Sequence, residues 1–326
     1  MKALLLHEPN QWKSMKLEEV EAPDPAVGEV LVEVHAVGLN PVDYKIATNG
    51  HPAWTYPHIL GLDVAGVVQA LGEGVEDLHV GDRVVYHGDL QKKGGYAEYD
   101  VTTAHTVSVI PDAVSFEEAA ALPTAGYTAY QAIHRKLPLE NINTILIHAG
   151  AGGVGGFAIQ LAKAAGKTVL TTASSKKHDH VRSLGADYAI DYRNEDVGQK
   201  VDEITNGRGV DAVIDAVSRE NATASLDYLA HLGHIVYIAG KPDFDKVKPF
   251  TKVVSYHEIA LGAIHQADIE SQKDLAVMGD DMLHRVAEGT LWSLLSETIA
   301  FEEVPQALER LSERHVQGKI VTKVKA

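Results

Sequence analysis

The segment from residue 144 to 177, TILIHAGAGGVGGFAIQLAKAAGKTVLTTASSKK, constrains this chain more than any other. An apolar, β-branched run leads into glycines at 150, 152 and 155, and then into FAIQLAKAAG, whose apolar face repeats at helical spacing and closes at Gly166. Strand, glycine turn, helix and strand in that order, with G-x-G-x-x-G across the turn, make a phosphate-binding arrangement. Gly150 permits the tight turn, Gly152 lets a pyrophosphate approach the backbone, and Gly155 lets the helix pack on the strand. The free N–H groups at the helix start, those of Gly153, Val154 and Gly155, then face an anion. A dinucleotide is the expected ligand. A glycine-rich loop of some other α/β domain is the structural alternative.

The end of the second strand decides between dinucleotides. An NAD site places Asp or Glu roughly 20 residues past the glycines to accept from the ribose 2′-hydroxyl. Here KTVLTTA runs into Ser174, Ser175, Lys176 and Lys177, and the first acid is Asp179. Two hydroxyls and two cations stand where a 2′-phosphate would sit, so NADPH is the expected cofactor. Tyr192, in YAIDYR, is placed to stack near the adenine-ribose, or else it is only packed there. Lysines in an ordinary polar loop are the alternative reading.

With 326 residues and 45% apolar content, the chain has enough material for two domains. It contains no cysteine, which excludes disulfides, iron–sulfur clusters and thiolate zinc sites. MKALLLHEPN begins like a signal peptide, but His7, Glu8 and Pro9 end its apolar run too soon, and no run reaches the ~18 apolar residues of a membrane span. A cytoplasmic protein without membrane contact is expected. A formal net charge of −16 disfavours nucleic acid as a partner. None of the 17 histidines falls in H-E-x-x-H, and His178 and His180 are expected as solvated surface residues, so no metal is expected.

Before the glycine turn the chain reads as β-rich: EVLVEVHAVGL alternates, and short strands with turns at Gly72–Gly74 and Gly81–Asp82 continue to VSVI. Such spacing suggests a compact, partly open barrel. FEEAAALPTAGYTAYQAIHR then reads as helical, with Pro123 interrupting it. From there strands alternate with helical candidates such as HDHVRSLG and TASLDYLAHLG. TILIHAG, TVLTTAS, YAIDYR, VDAVIDAV, HIVYIAG and EIALGAI are the six strands of an expected doubly wound parallel sheet. A helix after Ala267, LLSETIAF, PQALERLSERH and GKIVTKV return to complete the first domain. The expected division is 1–122 with 268–326, and 123–267, with a cleft between the two domains.

VGLNPVDYK (37–45), ILGLDVAGVV (59–68), VGDRVV (80–85), GGYAEY (94–99), LPTAGYTAYQA (122–132), AGAGGVGGFAIQLAK (149–163), SLGADYAIDYR (183–193) and the terminal GKIVTKV, in this order, resemble the medium-chain dehydrogenase/reductase superfamily across nearly the whole chain. The resemblance implies a GroES-like barrel carrying the catalytic groups and a Rossmann domain binding the cofactor. Within the superfamily the chain is most similar to the zinc-free NADPH:quinone oxidoreductase and enone reductase group. In the zinc alcohol dehydrogenases a cysteine takes the position of Asn40, and a histidine–glutamate pair that of Leu62–Asp63. An amide and a leucine cannot hold catalytic zinc.

The resemblance implies an enzyme that moves hydride from NADPH to a small-molecule quinone or α,β-unsaturated carbonyl. Without a metal, hydrogen-bond donors must take up the charge on the substrate oxygen. It points to Asn40 as polariser and Tyr44 as donor; the structural alternative is that Asn40 and Asp43 cap the turn at Pro41. Thr124 resembles a threonine at the nicotinamide end, or else caps a helix after the proline break. Ala216, Ala239 and Gly240 close strands whose carboxyl ends line the cofactor crevice. Lys319 resembles a basic residue near the adenosine phosphates, or else is an exposed tail lysine. The loop HGDLQKKGG, with His87, Lys92 and Lys93, is placed at the substrate entrance. A homodimer or homotetramer is implied, joined at the edge strand near EIALGAI. Two rivals remain: enoyl-thioester reduction on the same fold, and a non-catalytic NADPH-binding protein with a structural, regulatory or RNA-binding role.

Overall fold

A computed structural model describes residues 1–314 and 316–325. The chain divides into two compact units, Met1–Tyr127 with Leu261–Ala326, and Thr128–Ala260. The expected boundaries were 122/123 and 267/268.

The first unit is built on the strand Glu29–Gly38. Its alternating sequence buries Val30, Val32 and Val34 on one face, and at Val37 and Gly38 both faces are covered. Asp63–Leu71 and Tyr99–Thr103 pair with it antiparallel, and so does the C-terminal strand Lys319–Lys323. Arg83–His87 extends the sheet beyond Asp63–Leu71, and Leu295–Ala300 lies parallel to the C-terminal strand at the other end. With Ser108–Val109 pairing beyond Arg83–His87, six of the seven strands lie on one path and Tyr99–Thr103 is off it, the branching expected of a curled, partly open barrel. Its core gathers Leu4, Leu6, Val32, Val64, Tyr86, Tyr96 and Phe301, and the two chain segments contribute to it together.

The second unit is a six-stranded sheet in which every pair is parallel. Its strands are Thr144–Ile147, Thr168–Ala173, Tyr188–Asp191, Val210–Asp215, Leu229–Tyr237 and Ser255–Glu258. Counted along the chain, their spatial order is third, second, first, fourth, fifth, sixth. That is the doubly wound arrangement, with the reversal beside the first strand, where ligands bind at the carboxyl ends.

Two local expectations change, and a third holds. The sixth strand is Ser255–Glu258, and Leu261–Gln266 in EIALGAI forms a 3-10 turn instead. The helix expected over TASLDYLAHLG lies earlier, at Arg219–Ser225 with a 3-10 turn at Leu226–Tyr228, because its apolar residues from Leu229 onward belong to a strand. Pro123 interrupts the helical stretch as expected. The helix Phe116–Ala120 stops, and Pro123 opens a new π-helical turn, where its missing N–H costs nothing.

Candidate active site and cofactor cradle

The glycine turn in the second unit has the shape that its sequence demands. A Cβ on Gly150 would lie 2.0 Å from Thr171 Oγ1, and one on Gly155 would lie 2.4 Å from the Ala149 carbonyl oxygen. A Cβ on Gly152 would meet only that same oxygen at 3.4 Å, so this glycine faces open space. Two glycines are therefore needed for close packing of the chain on itself, and the middle one leaves room for a ligand. The left-handed residue of the turn is Ala149, at φ 55°. It is held by Thr172, whose hydroxyl accepts from the Ala149 N–H at 3.1 Å and whose carbonyl accepts from the Gly150 N–H at 3.1 Å. The helix Gly153–Ala164 begins with the bond from Gly156 N–H to the Gly152 carbonyl at 2.9 Å. The N–H groups of Gly153, Val154 and Gly155 thus precede the first intrahelical bond and point toward the same space.

At the end of the second strand, Ser174 leaves the sheet and Ser175–Lys177 forms a 3-10 turn before the helix His178–Ser183. Burial, with Arg193 nearby, lowers the Lys177 pKa, against the opposing influence of Tyr192. Arg193 lies over the Tyr192 ring at 5.7 Å. The structure thus brings Lys177, Tyr192 and Arg193 together, the last a cation that the sequence reading quoted without assigning. Asp191, the acid closest to them in sequence, is tied up by Asn194 at 2.7 Å and by the Arg193 N–H at 3.1 Å. His178 and His180 are half-buried rather than solvated: His178 bonds the Ala173 carbonyl at 3.2 Å, and Nε2 of His180 is buried.

Ala216 follows the fourth strand, and Ala239 and Gly240 follow the fifth, so all three stand at carboxyl ends. Asp215, buried at the tip of the fourth strand, accepts from the Val217 and Ser218 N–H groups and from the Asn221 amide, which fixes the turn there.

In the first unit, three strand ends converge. Glu29–Gly38 ends where Asp63–Leu71 begins, with Gly38 opposite Asp63, and the antiparallel C-terminal strand begins there with Lys319. The chain then leaves the sheet through Asn40, in extended conformation, into the helix Pro41–Asn49. Asn40, Asp63 and Lys319 are all buried. The Lys319 ammonium donates to Asn40 Oδ1 at 2.5 Å, to Asp63 Oδ2 at 3.2 Å and to the Leu39 carbonyl at 3.2 Å. Asn40 Nδ2 donates to Asp63 Oδ2 at 2.8 Å and to the Gly38 carbonyl at 3.4 Å. Asp63 Oδ1 accepts from both the backbone N–H and the hydroxyl of Thr124, at 2.8 and 2.5 Å, so a distant carboxylate caps the helical turn that Pro123 opens. Asp43 accepts from the Asn40 N–H at 2.8 Å and the Tyr96 hydroxyl at 2.9 Å. Burial raises its pKa to about 7, with the nearby Asp63 adding to the effect against those donors.

This geometry bears on three of the expected residues. Asn40 has both amide hydrogens directed inward and is 2% exposed, so it links Lys319 to Asp63 and offers no spare donor. Lys319 is enclosed by three acceptors within this unit and is not an open cation for phosphates. The Tyr44 ring packs 5.7 Å from Trp12 and is partly buried against the apolar core. Thr124 does join the cluster, as the residue whose N–H and hydroxyl the Asp63 carboxylate caps. Asp43 fills the capping place that the sequence offered it beside Asn40, while Asp63 and Tyr96 are members with no expected role. No spacing rule could have found Asp63, because it reaches Asn40 and Lys319 through strand register.

Residues 26–112 match the profile described as the alcohol dehydrogenase GroES-like domain, and 153–277 that of zinc-binding dehydrogenases. A quinone oxidoreductase from Salmonella typhimurium is 33% identical over 309 residues, covering 92% of each chain. The crystal structure of Escherichia coli quinone oxidoreductase complexed with NADPH superposes with a TM-score of 0.86 at 28% identity, covering 99% of this chain and 100% of that one. The CurK enoyl reductase superposes equally well, at 0.86 with 29% identity and 99% and 98% coverage.

Proposed function

Because this chain belongs to the medium-chain dehydrogenase/reductase superfamily, we propose that it is an oxidoreductase carrying hydride from NADPH to a quinone or an α,β-unsaturated carbonyl, without zinc. The observation that carries the reading is the open space over Gly152, facing the N–H groups of Gly153, Val154 and Gly155. A pyrophosphate fits there, and Ala216, Ala239 and Gly240 border the same crevice at the sheet reversal. The 2′-phosphate is held by Ser174, Ser175, Lys177 and Arg193, with Tyr192 along the adenine-ribose. Bound there, NADPH supplies a hydride from nicotinamide C4.

The zinc-free part rests on donor chemistry. Asp63 spends its carboxylate on Lys319, Asn40 and Thr124, which supply the charge and hydrogen bonds that a metal would otherwise provide. In this reading Asn40 and Lys319 are positioning residues that hold Asp63 and, through it, Thr124 at the nicotinamide end. Tyr44 serves packing.

Among the described residues no helix is long and apolar enough to cross a membrane. Association as a homodimer or homotetramer through the outer edge of Ser255–Glu258 is part of the proposal, and light scattering showing a monomer removes it. The test of the whole is NADPH oxidation against a panel of quinones and short enones, beside NADH and with a chelator. Turnover that prefers NADPH and survives chelation supports the reading. Tight NADPH binding with no turnover supports a non-catalytic role, and turnover of enoyl thioesters alone supports the enoyl reductase alternative.

A further inference from the structure

The cluster around Asp63 leaves a gap in the chemistry. Hydride addition to an enone or quinone places an electron pair on a substrate oxygen, which must be protonated, yet the donors of Asn40, Lys319 and Thr124 are directed at acceptors within the unit. The same sheet face carries a second group. Asp63 and His87 are direct partners on antiparallel strands, so their side chains share a face. His87 ends its strand 2% exposed, and its Nδ1 lies 3.2 Å from Nε2 of His265. The rings stack with centroids 5.4 Å apart and planes within 17°. His265 comes from the turn Leu261–Gln266, which reaches the loop after His87 through the Gln266 amide and Asp89 at 3.4 Å, and it is only partly buried.

An N–H···N bond requires one ring to donate and the other to accept, so at least one ring is neutral. Burial pushes His87 down to about 4, with His265 and Lys319 adding to the effect and Asp63 and Asp89 opposing it. Burial also lowers His265, with Lys92 adding to the effect; Asp89 and the carbonyls of His87 and Gly88 oppose it. Both rings are therefore neutral near pH 7, and their mutual bond persists in either of two tautomers.

We propose that His87 and His265 form the proton donor of this site, His87 giving the proton to the reduced substrate and His265 exchanging it with solvent. The inference rests on the hydride-transfer reading above. As hydride bonds to the β-carbon of an enone, the C=C pair shifts to the bond between the α-carbon and the carbonyl carbon, and the C=O pair moves onto the oxygen. The His87 Nε2–H bond breaks as that oxygen gains the proton, His87 Nδ1 takes the proton of His265 Nε2, and His265 Nδ1 takes one from water. The cofactor is oxidised by one hydride, the enone leaves as its enol, and the pair is left in its other tautomer with the mutual bond intact. A quinone follows the same course to its hydroquinone. His87 is buried from solvent, which gives the half-buried partner its place in the sequence.

The test uses the full-length protein with NADPH and the best acceptor of the panel. His265→Gln is the main variant because the site is partly exposed, with His87→Gln beside it. The expected result for His265→Gln is a fall in kcat of roughly a hundredfold, an unchanged KM for NADPH, an enlarged solvent isotope effect and recovery by added imidazole. Wild-type kcat with an unchanged solvent isotope effect overturns the relay alone. So does lost activity with intact NADPH binding that imidazole does not restore, since that marks a packing role. A wild-type protein that turns over nothing in the panel overturns the hydride-transfer reading, and the relay with it.

Discussion

The Lys319 ammonium lies 3.2 Å from the Asp63 carboxylate with their side chains 4% and 0% exposed, and Asn40 bonds to both. Taking two charges out of water is repaid only when the pair is complete and its remaining hydrogen-bonding sites are filled, and here they are.

Removing one partner strands the other. Lys319→Met is expected to destabilise the protein by about 3–5 kcal/mol, since Asp63 then stays buried with hydrogen bonds but no countercharge. Asp63→Asn combined with Lys319→Met is expected to lose less than the sum of the two single changes. Urea denaturation of the four proteins measures that coupling, and simple additivity would show that the pair does not act as a unit.

The three turn glycines are expected to fail in different ways. Gly150→Ala and Gly155→Ala put a Cβ at 2.0 and 2.4 Å from oxygen atoms, so both should express poorly or melt well below the parent. Gly152→Ala meets nothing closer than 3.4 Å and should fold normally, yet lose NADPH affinity because its methyl occupies the pyrophosphate's approach. Thermal melts together with NADPH titration separate the two classes.

Lys177→Ala and Arg193→Ala each remove a charged partner of the 2′-phosphate. Each should weaken NADPH by roughly ten- to a hundredfold, and NADH far less. Equal losses for both nucleotides would place the phosphate elsewhere.

Asp100, buried beneath the Tyr86 hydroxyl at 2.8 Å, has its pKa raised by burial to about 7 from 3.8. The folded state therefore holds a proton that the unfolded chain releases between about 4 and 7. The stabilisation is complete below that window and is lost as pH rises through it. Asp100→Asn keeps an acceptor for Tyr86 and removes the titration, so its stability relative to the parent should improve by a few kcal/mol (on the order of) from pH 5 to pH 8. Buried His58, His87 and His148, all lowered to about 4 by burial, act in the opposite direction in both proteins and cancel in the comparison.

The parallel sheet was legible because period, glycine punctuation and strand length agree over 144–240, and the structure differs there mainly in where helices and strands hand over. The hand-over at Leu229 was hidden because LDYLAHL satisfies a helical period as well as a strand. Positions in the glycine turn were legible because local geometry alone dictates them. The Asp63 cluster was not, since its members are joined by hydrogen bonds across 256 and 279 residues of chain and meet through register between strands. Asn40 and Tyr44 show the cost of carrying roles by motif: the motif placed the helix, while the direction each side chain takes depended on Lys319 and Trp12. Nothing in the sequence joined His87 to His265, which lie 178 residues apart.

The C-terminal strand also bears on how the chain comes off the ribosome. Synthesis delivers Asn40 and Asp63 early, then the whole of the parallel-sheet unit, and only afterwards the lysine that neutralises Asp63. The second unit has its own contiguous stretch of chain and can close as soon as it emerges. The first must wait with an uncompensated carboxylate and an open place beside its central strand until residues 319–323 arrive. The nascent barrel is thus the late-maturing unit, and it is most in need of protection from premature association until residues 319–323 have emerged.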